Sequence, residues 1–495
     1  MRHHSFQNEK ALIVGSGVGG LSMGIILAGL GFSVTVVEKN RQPGGMLRSY
    51  VRRGIHCNMG LHYLGALDQG QVLRRLFDYL GITENLPLQR MGANSPVDRY
   101  LFTDAASGSR QFDVPVGLDA YEAGLKEAFP KEQDPIDRFM ALVRQSAREL
   151  DRLEFIFNTP SADNLIDRHD PLWCLLDRMG CSPGLKSVLS VPCVWFGVPP
   201  RRCPQFYHTM TLASYLVSAW RLKCHGTRMA EVLVQRLIDL GGTVLCGQAV
   251  RSINVREGRA TGLTLKNGTR YDAPVVVAAV HPSVVVDLLG PKHVKPSYGR
   301  RIAGLVNTGG MFAVNAIVPA DAHVPLPYNV FSMKTDTAGS IDDVIFTQLR
   351  SSSRPEYLLL SLITRGYDEL WKPWENTRTG HRGDDYNAAK SALANRLIKA
   401  VEPVTGPLNG LDVIDTYTPL TIRDWVNSPN GSAYGVMRSD DQMLSAALLN
   451  RANVKGLYLA GQNVMAPGVL GTILGSLVTT KFIVGPQRFG QEIRL

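Results

Sequence analysis

Three glycines at close, regular spacing, Gly15, Gly17 and Gly20, stand between a short apolar run, Leu12–Val14, and a helix-like segment bearing Leu21, Ile25, Ile26 and Leu30. A second β-branched run, Val34–Val37, follows Gly31 and ends on Glu38. This order of strand, glycine turn, helix and acid-tipped strand is what a dinucleotide requires. Gly15 permits the tight turn, Gly17 lets backbone approach a pyrophosphate, and Gly20 lets the helix pack closely on the strand. The helix N-terminus offers free N–H groups and a positive dipole end to the phosphates. Glu38 can accept hydrogen bonds from both ribose hydroxyls, and its charge would repel a 2′-phosphate. Gly19, inside the turn, and Lys39, beside the acid, are counted with the same site.

Two further glycine-rich stretches belong with this one. Pro43-Gly44-Gly45-Met46 follows the second strand and extends the nucleotide site along the far side of the phosphates. Near the other chain end, Gly456-Leu-Tyr-Leu-Ala-Gly461-Gln462 reads as a short buried strand, and Gly468-Val-Leu-Gly471-Thr472-Ile-Leu-Gly475-Ser476 as a small-residue helix opening. Small residues let such a helix approach a ligand closely.

Together these motifs resemble the FAD-binding signatures of the flavin amine oxidase and phytoene desaturase superfamily. In that superfamily the C-terminal strand brings backbone to the ribityl chain. The helix after it aims its N-terminus at the flavin pyrimidine ring, where reduced flavin carries negative charge. Many relatives carry an acid at this strand, whereas here the residues are Gln462-Asn463. The cofactor set implied is Gly15, Gly17, Gly19, Gly20, Glu38, Lys39, Gly44, Gly45, Met46, Val250, Gly461, Gln462, Gly468, Gly471 and Thr472, holding non-covalent FAD.

Other stretches narrow the resemblance to one branch. Gly54-Ile-His56-Cys-Asn-Met-Gly60-Leu-His62-Tyr63 is similar to the G-x-H-Y segment of retinol saturases and carotenoid isomerases, which runs along the inner face of the flavin. Tyr417-Thr-Pro-Leu-Thr421 with Gly431-Ser-Ala-Tyr434-Gly435 resembles their late substrate segment, and Ala128–Glu132 their lid. The resemblance implies hydride movement between flavin N5 and a long conjugated substrate, in desaturation, saturation or isomerisation. It extends to bacterial relatives that reductively cyclise polyene tetramates in polyketide pathways. His62 is the first catalytic candidate, because imidazole titrates near neutrality; a packing role is its alternative. Tyr63 and Tyr434 are further candidates, although tyrosines often line pockets without acting in them. Arg423 could hold a polar substrate end or form a surface ion pair. An amine oxidase and a flavin-free lipid carrier of the same architecture are the competing readings; the first lacks an aromatic pair in the C-terminal motif, and the second needs no intact phosphate loop.

The implied fold is α/β, a Rossmann-like FAD-binding domain with an inserted α+β substrate domain. At 495 residues the chain exceeds one core. The FAD-binding domain is expected to be discontinuous, from residues 1–114, 226–289 and 411–495. A helical lid is expected over 115–225, with Asp134 as N-cap, Pro135 at the first helical position, and Ile136, Phe139, Met140, Val143, Ala147, Leu150 and Phe157 on one face. A mixed substrate region over 290–410 should hold strands at Met311–Ile317, Val344–Leu349 and Tyr357–Ile363 and a helix near Tyr386–Val401. Between them, a helix from Gly226, strands at 243–245 and 249–255, and a hairpin at Lys266-Asn267-Gly268-Thr269 are predicted.

Bulk properties bound the partners. Apolar content of 44% with 19% charged residues is ordinary globular composition. The net charge of +10 comes without interleaved aromatics around its arginine pairs, so nucleic acid is excluded as a partner and weak contact with an anionic membrane is the secondary reading. Seven scattered cysteines show no zinc or disulfide spacing, which implies free thiols and no metal. The apolar stretch 464–478 is broken by Pro467 and three glycines, so no membrane span is expected and the localisation implied is cytoplasmic. Partners are a hydrophobic small molecule and, with one dinucleotide fingerprint only, an external electron donor or acceptor.

Overall fold

The strand Lys10–Val14 has parallel partners on both sides in a computed structural model, which describes residues 6, 9–104, 108–157, 169–446 and 449–495. The parallel sheet runs in the order 243–245, 33–37, 10–14, 275–278, 457–459, so strands from three distant parts of the chain build it. Ile13 lies opposite both Val36 and Val277. Such strands must be apolar on both faces, and they are. Ala11, Ile13, Val34 and Val36 pack under the helix Val18–Gly29, while Leu12, Val14 and Val37 pack under an antiparallel meander through Ile253, Leu263 and Leu265. The meander comprises Val250–Arg256, Arg259–Leu265 and Arg270–Asp272. Its tight turn sits at Asn267-Gly268, with Gly268 at φ +89° and the Thr269 N–H donating to the Asn267 side chain at 3.0 Å.

A seven-stranded sheet forms the second layer, in the order 412–417, 311–319, 357–365, 341–351, 329–335, 98–104, 108–114. Segments 98–114 and 412–417, expected in the FAD-binding domain, pair here instead. Strand 98–104 pairs in parallel with 329–335 and antiparallel with 108–114. Strand 412–417 closes the far edge against 311–319. Local pattern marks a strand but not the sheet it joins. The strand Asn329–Thr335 was not anticipated. The helix Gly383–Thr405 covers one face of this sheet, with Leu393, Leu397 and Val401 against Phe312, Val314, Leu360 and Leu362. The other face turns Ala313, Phe331, Phe346 and Ile363 toward the main core.

The segment between the layers is helical, with Leu118–Ala128, Gln133–Arg152, Leu172–Arg178, Pro183–Ser190 and Gln205–Val217; residues 158–168 of it lie outside the described residues. Helix Gln133–Arg152 buries the anticipated stripe from Ile136 to Leu150. Its N-cap position is Glu132, not Asp134, and Pro135 is the third helical residue, two positions later than expected. Glu132 does not cap the helix with its side chain; it accepts from the Ser182 N–H and hydroxyl at 2.7 Å each. Phe157 leaves the stripe because Leu153 turns left-handed and starts a separate short helix, Glu154–Phe157. No helix among the described residues is long and apolar enough to cross a membrane.

Candidate cofactor and active site

A cavity of about 890 Å³ runs from the glycine turn to the inner face of the seven-stranded sheet. Gly15, Gly17 and Gly19 line it, and each is glycine for a different reason. Gly15 has φ +95°, and a Cβ there would meet the Ala279 carbonyl oxygen at 3.0 Å. On Gly19 a Cβ would fall 2.4 Å from the Gly461 Cα, so the two glycine motifs touch. Gly17 caps the helix at φ −66°, a conformation open to any residue, and a Cβ there meets nothing within 4 Å. The protein itself does not require glycine at 17. The free space before the helix N-terminus therefore fits a phosphate-bearing group. Gly20 stands behind the wall, where a Cβ would lie 1.9 Å from the Gly15 carbonyl. Gly44 is also behind it, at φ +116°, while Gly45 lines the cavity at φ +56°.

Glu38 is buried at the lip. Its Oε2 accepts from the Ser16 N–H at 3.0 Å and hydroxyl at 2.7 Å; its Oε1 accepts from the Asn40 N–H at 2.9 Å and side-chain amide at 2.8 Å. These donors hold the carboxylate in place where it lines the cavity. Lys39, Met46 and Val250 line the same end, with Lys39 Nζ donating to the Asp424 carbonyl at 3.1 Å. Arg48, a wall residue not singled out from sequence, is buried beside them. Its Nε donates to the Gly45 carbonyl at 2.9 Å and its Nη2 to that of Trp425 at 3.2 Å.

The helix Gly468–Val484 packs against Val18–Gly29 through small residues. The Ser476 hydroxyl lies 3.2 Å from that of Ser22 and donates to the Gly19 carbonyl at 3.1 Å. Gly461 (φ +93°), Gln462, Gly468 (φ +77°) and Thr472 line the cavity. Gly471 turns away from it, where a Cβ would lie 2.5 Å from that of Ala466. Asn463 serves the fold: its Oδ1 accepts from the Val436 N–H at 2.9 Å, and Arg438 donates to its carbonyl.

His62, Tyr63 and Tyr434 are all on the wall, with Tyr215, Trp195, Phe331, Phe346 and Ile363. The His62 ring stands edge-on to Phe346 at 5.3 Å, and its buried Nδ1 has no hydrogen-bond partner. Burial pulls its pKa down to about 4, with the Arg350 charge acting in the same sense and the neighbouring Gln348 amide opposing. The imidazole is therefore neutral at neutral pH. Arg423, by contrast, is spent elsewhere: it pairs with Asp424 at 2.8 Å and donates to the Thr377 carbonyl at 2.8 Å. Tyr434 packs over Gly197, where a Cβ would lie 3.0 Å from its ring.

Behind Tyr63 lies a group that sequence reading missed. The Tyr63 hydroxyl donates to Asp98 Oδ2 at 3.1 Å, Asn329 Nδ2 donates to Asp98 Oδ1 at 2.7 Å, and Gln348 Nε2 donates to Asn329 Oδ1 at 2.6 Å. Gln348 lies opposite Ser361, and Ser361 opposite Asn315, to which it donates at 3.0 Å. A polar row thus crosses five strands in register. The next row along, Tyr100, Phe331, Phe346 and Ile363, is apolar. Asp98 has no cationic partner among the described residues, and burial raises its pKa to about 7 while the Asn329 and Tyr63 hydrogen bonds act against the rise. Each member looks like an ordinary strand residue in sequence; only the register brings them together.

Comparisons with known proteins agree with this architecture. All-trans-retinol 13,14-reductase of Macaca fascicularis is 26% identical over 523 residues, covering 96% of this chain and 85% of that protein. All-trans-zeta-carotene desaturase of Myxococcus xanthus is 24% identical, covering 94% of this chain and 92% of that one. The crystal structure of a putrescine oxidase with putrescine bound matches with a TM-score of 0.64 at 15% identity, over 96% of this chain and 99% of that one, which shows a shared fold. The model of the flavin-containing amine oxidoreductases matches residues 18–476. With both glycine motifs converging on one cavity and a match over nearly its whole length, the chain belongs to the flavin-containing amine oxidoreductase family and is an FAD-dependent oxidoreductase.

Proposed function

We propose that this enzyme moves hydride between FAD and a conjugated double bond of an elongated hydrophobic polyene of carotenoid, retinoid or polyketide type. The observation that carries the reading is the cavity floor: Phe331, Phe346 and Ile363 in register, with Tyr63, backed by a buried carboxylate, on the same cavity wall. The names of the retinol reductase and the carotene desaturase support it. Bound FAD supplies the two-electron chemistry at N5.

The chain's own residues do the rest. Gly15, Gly17 and Gly19, with the N-terminus of Val18–Gly29, hold the pyrophosphate, and Glu38 takes the ribose. Gly461, Gln462 and Thr472 hold the ribityl and pyrimidine end. Phe331, Phe346 and Ile363 hold the polyene flat and exclude water. Tyr63 holds a proton on its hydroxyl at the cavity wall, and Asp98 keeps that hydroxyl aimed. Neutral His62 acts as a hydrogen-bonding group, not as an acid. Whether the outcome is saturation, desaturation, isomerisation or reductive cyclisation follows from the electron supply and the substrate.

The test is anaerobic incubation of the yellow enzyme, oxidised and then dithionite-reduced, with all-trans-retinol, a linear carotene and a polyene tetramate. Products heavier by two hydrogens, lighter by two, or isomeric support the reading. Turnover of primary amines with no change in any polyene defeats it.

A further inference from the structure

Lys39, Arg48, Arg201, Lys266 and Arg365 are the lysine and arginine residues on the cavity wall among the described residues. Arg48 alone of them is buried, at 5% exposure. The loop before it is built against the phosphate turn. A Cβ on Gly45 would lie 3.0 Å from the Gly17 Cα, and the Gly44 N–H donates to the Ser16 carbonyl at 3.0 Å. Arg48 Nε donates to the Gly45 carbonyl at 2.9 Å, so the guanidinium is held against the residue that touches Gly17. Its Nη2 donates to the Trp425 carbonyl at 3.2 Å, an acceptor shared with the Asn40 side-chain amide, also at 3.2 Å. Nη1 makes no hydrogen bond among the described residues.

Both acceptors of Arg48 are neutral carbonyls. Trp425 lies at the end of the helix Pro419–Val426, so its carbonyl adds the partial negative charge of a helix C-terminus. Glu38, the acid of the same loop, gives its two oxygens to Ser16 and Asn40 instead. A full positive charge is thus kept out of water with dipoles alone around it, which is costly until an anion completes the site. The N-terminus of Val18–Gly29 has the opposite shortage. It carries about half an elementary charge, less than a doubly charged pyrophosphate needs. A guanidinium supplies the difference, and its planar fork matches phosphate oxygens.

We infer that Arg48 is a cationic clamp on the FAD pyrophosphate, binding it through Nη1 while Nε and Nη2 stay fixed on protein carbonyls. This rests on the glycine turn as the pyrophosphate site, and it adds a charge that glycines cannot supply. The Gly44-Gly45 turn then has a second task, since its carbonyl aims the arginine.

Serial dilution of the holoenzyme, read by the fluorescence of released FAD, tests the clamp without turnover. Arg48→Gln should raise the FAD dissociation constant at least about tenfold. Arg48→Lys, which keeps the charge and loses the fork, should recover most of that loss. Arg41→Gln removes an exposed charge from the same loop and should shift the constant less than about threefold. Phosphorus NMR of the bound cofactor adds a direct reading: the pyrophosphate resonances should move in Arg48→Lys and stay in place in Arg41→Gln. That reading also serves should Arg48→Gln fail to fold. FAD held by Arg48→Gln as tightly as by wild type, or unmoved resonances in Arg48→Lys, overturns the clamp and leaves the glycine turn standing. Full flavin in Gly17→Val is a separate outcome, which removes the pyrophosphate from the turn and the clamp with it.

Discussion

The Tyr63 hydroxyl and Asp98 Oδ2, 3.1 Å apart, join the cavity wall to the polar row inside the seven-stranded sheet. Asp98 titrates at about 7 because it is buried, whereas an unfolded aspartate titrates near 4. The folded state thus binds more protons between those values, and Asp98 withdraws stability as the pH rises through that window. Asp98→Asn cannot ionise; its Oδ1 still accepts from Asn329, while its Nδ2 can only donate to the Tyr63 hydroxyl oxygen, reversing that bond. Its stability relative to wild type should improve by on the order of 2–3 kcal/mol between pH 4.5 and pH 8. Urea unfolding at the two pH values checks this; parallel behaviour of the two proteins refutes it.

Removing the Tyr63 hydroxyl should affect chemistry and not cofactor. Tyr63→Phe is expected to lose roughly 10²-fold in kcat on a polyene, the lower range for a positioned proton donor, with flavin content unchanged. Asp98→Asn should lose less and should flatten the pH–rate profile near 7. A Tyr63→Phe enzyme with undiminished kcat would leave the hydroxyl without a catalytic part.

His62 should contribute no titration near pH 6.5, since its pKa is pulled down to about 4. A histidine with a lowered folded value contributes stability that is complete above its unfolded pKa and is lost as the pH falls from about 6.5 toward 4. His62→Gln should flatten that acid limb in thermal unfolding at pH 4.5 to 7. An unaltered limb in the variant counts against the neutral imidazole.

The glycines of the first turn should separate by function. Gly17→Val places its side chain in open space, so the protein should fold with a thermal midpoint within about 3 °C of the flavin-free wild type yet purify without FAD. Gly20→Ala puts a Cβ 1.9 Å from the Gly15 carbonyl and should cost on the order of 2–4 kcal/mol of stability. Flavin released by denaturation and thermal midpoints read both outcomes. Full flavin in Gly17→Val would remove the pyrophosphate from this loop.

Among the described residues one glycine turn of this kind joins a parallel strand to a helix; the meander Val250–Asp272 is antiparallel and offers no second one. NADH or NADPH should therefore reduce the flavin slowly. Stopped-flow mixing without substrate is the measurement, and rapid bleaching with a micromolar nicotinamide constant is the contrary outcome.

The cofactor end was legible in sequence because each requirement there is local. Gly15 needs a positive φ, Gly20 must clear the Gly15 carbonyl, and Val34–Val37 must be apolar on both faces; composition over a few residues records all three. The substrate end was not legible, because its chemistry comes from pairing. Asp98, Asn329, Gln348 and Ser361 come from four strands separated by up to 231 residues along their hydrogen bonds, and each obeys no motif of its own. Arg423 was legible: of the two roles its residue type allows, a polar-substrate contact or an ion pair, the second is realised, with Asp424 and two backbone carbonyls.

The strand order of the parallel sheet sets a constraint in time. Strand 10–14 lies two places from strand 457–459, with 275–278 between them, and the helices Val18–Gly29 and Gly468–Val484 share the Ser22–Ser476 contact. A chain still being synthesised holds the phosphate turn long before strand 457–459 and the helix Gly468–Val484, which complete the opposing wall, have been made. Cofactor capture therefore waits for that long-range closure, and closure of this kind is slow. Truncation within the helix Gly468–Val484 should yield an apoprotein even though the whole phosphate turn is intact.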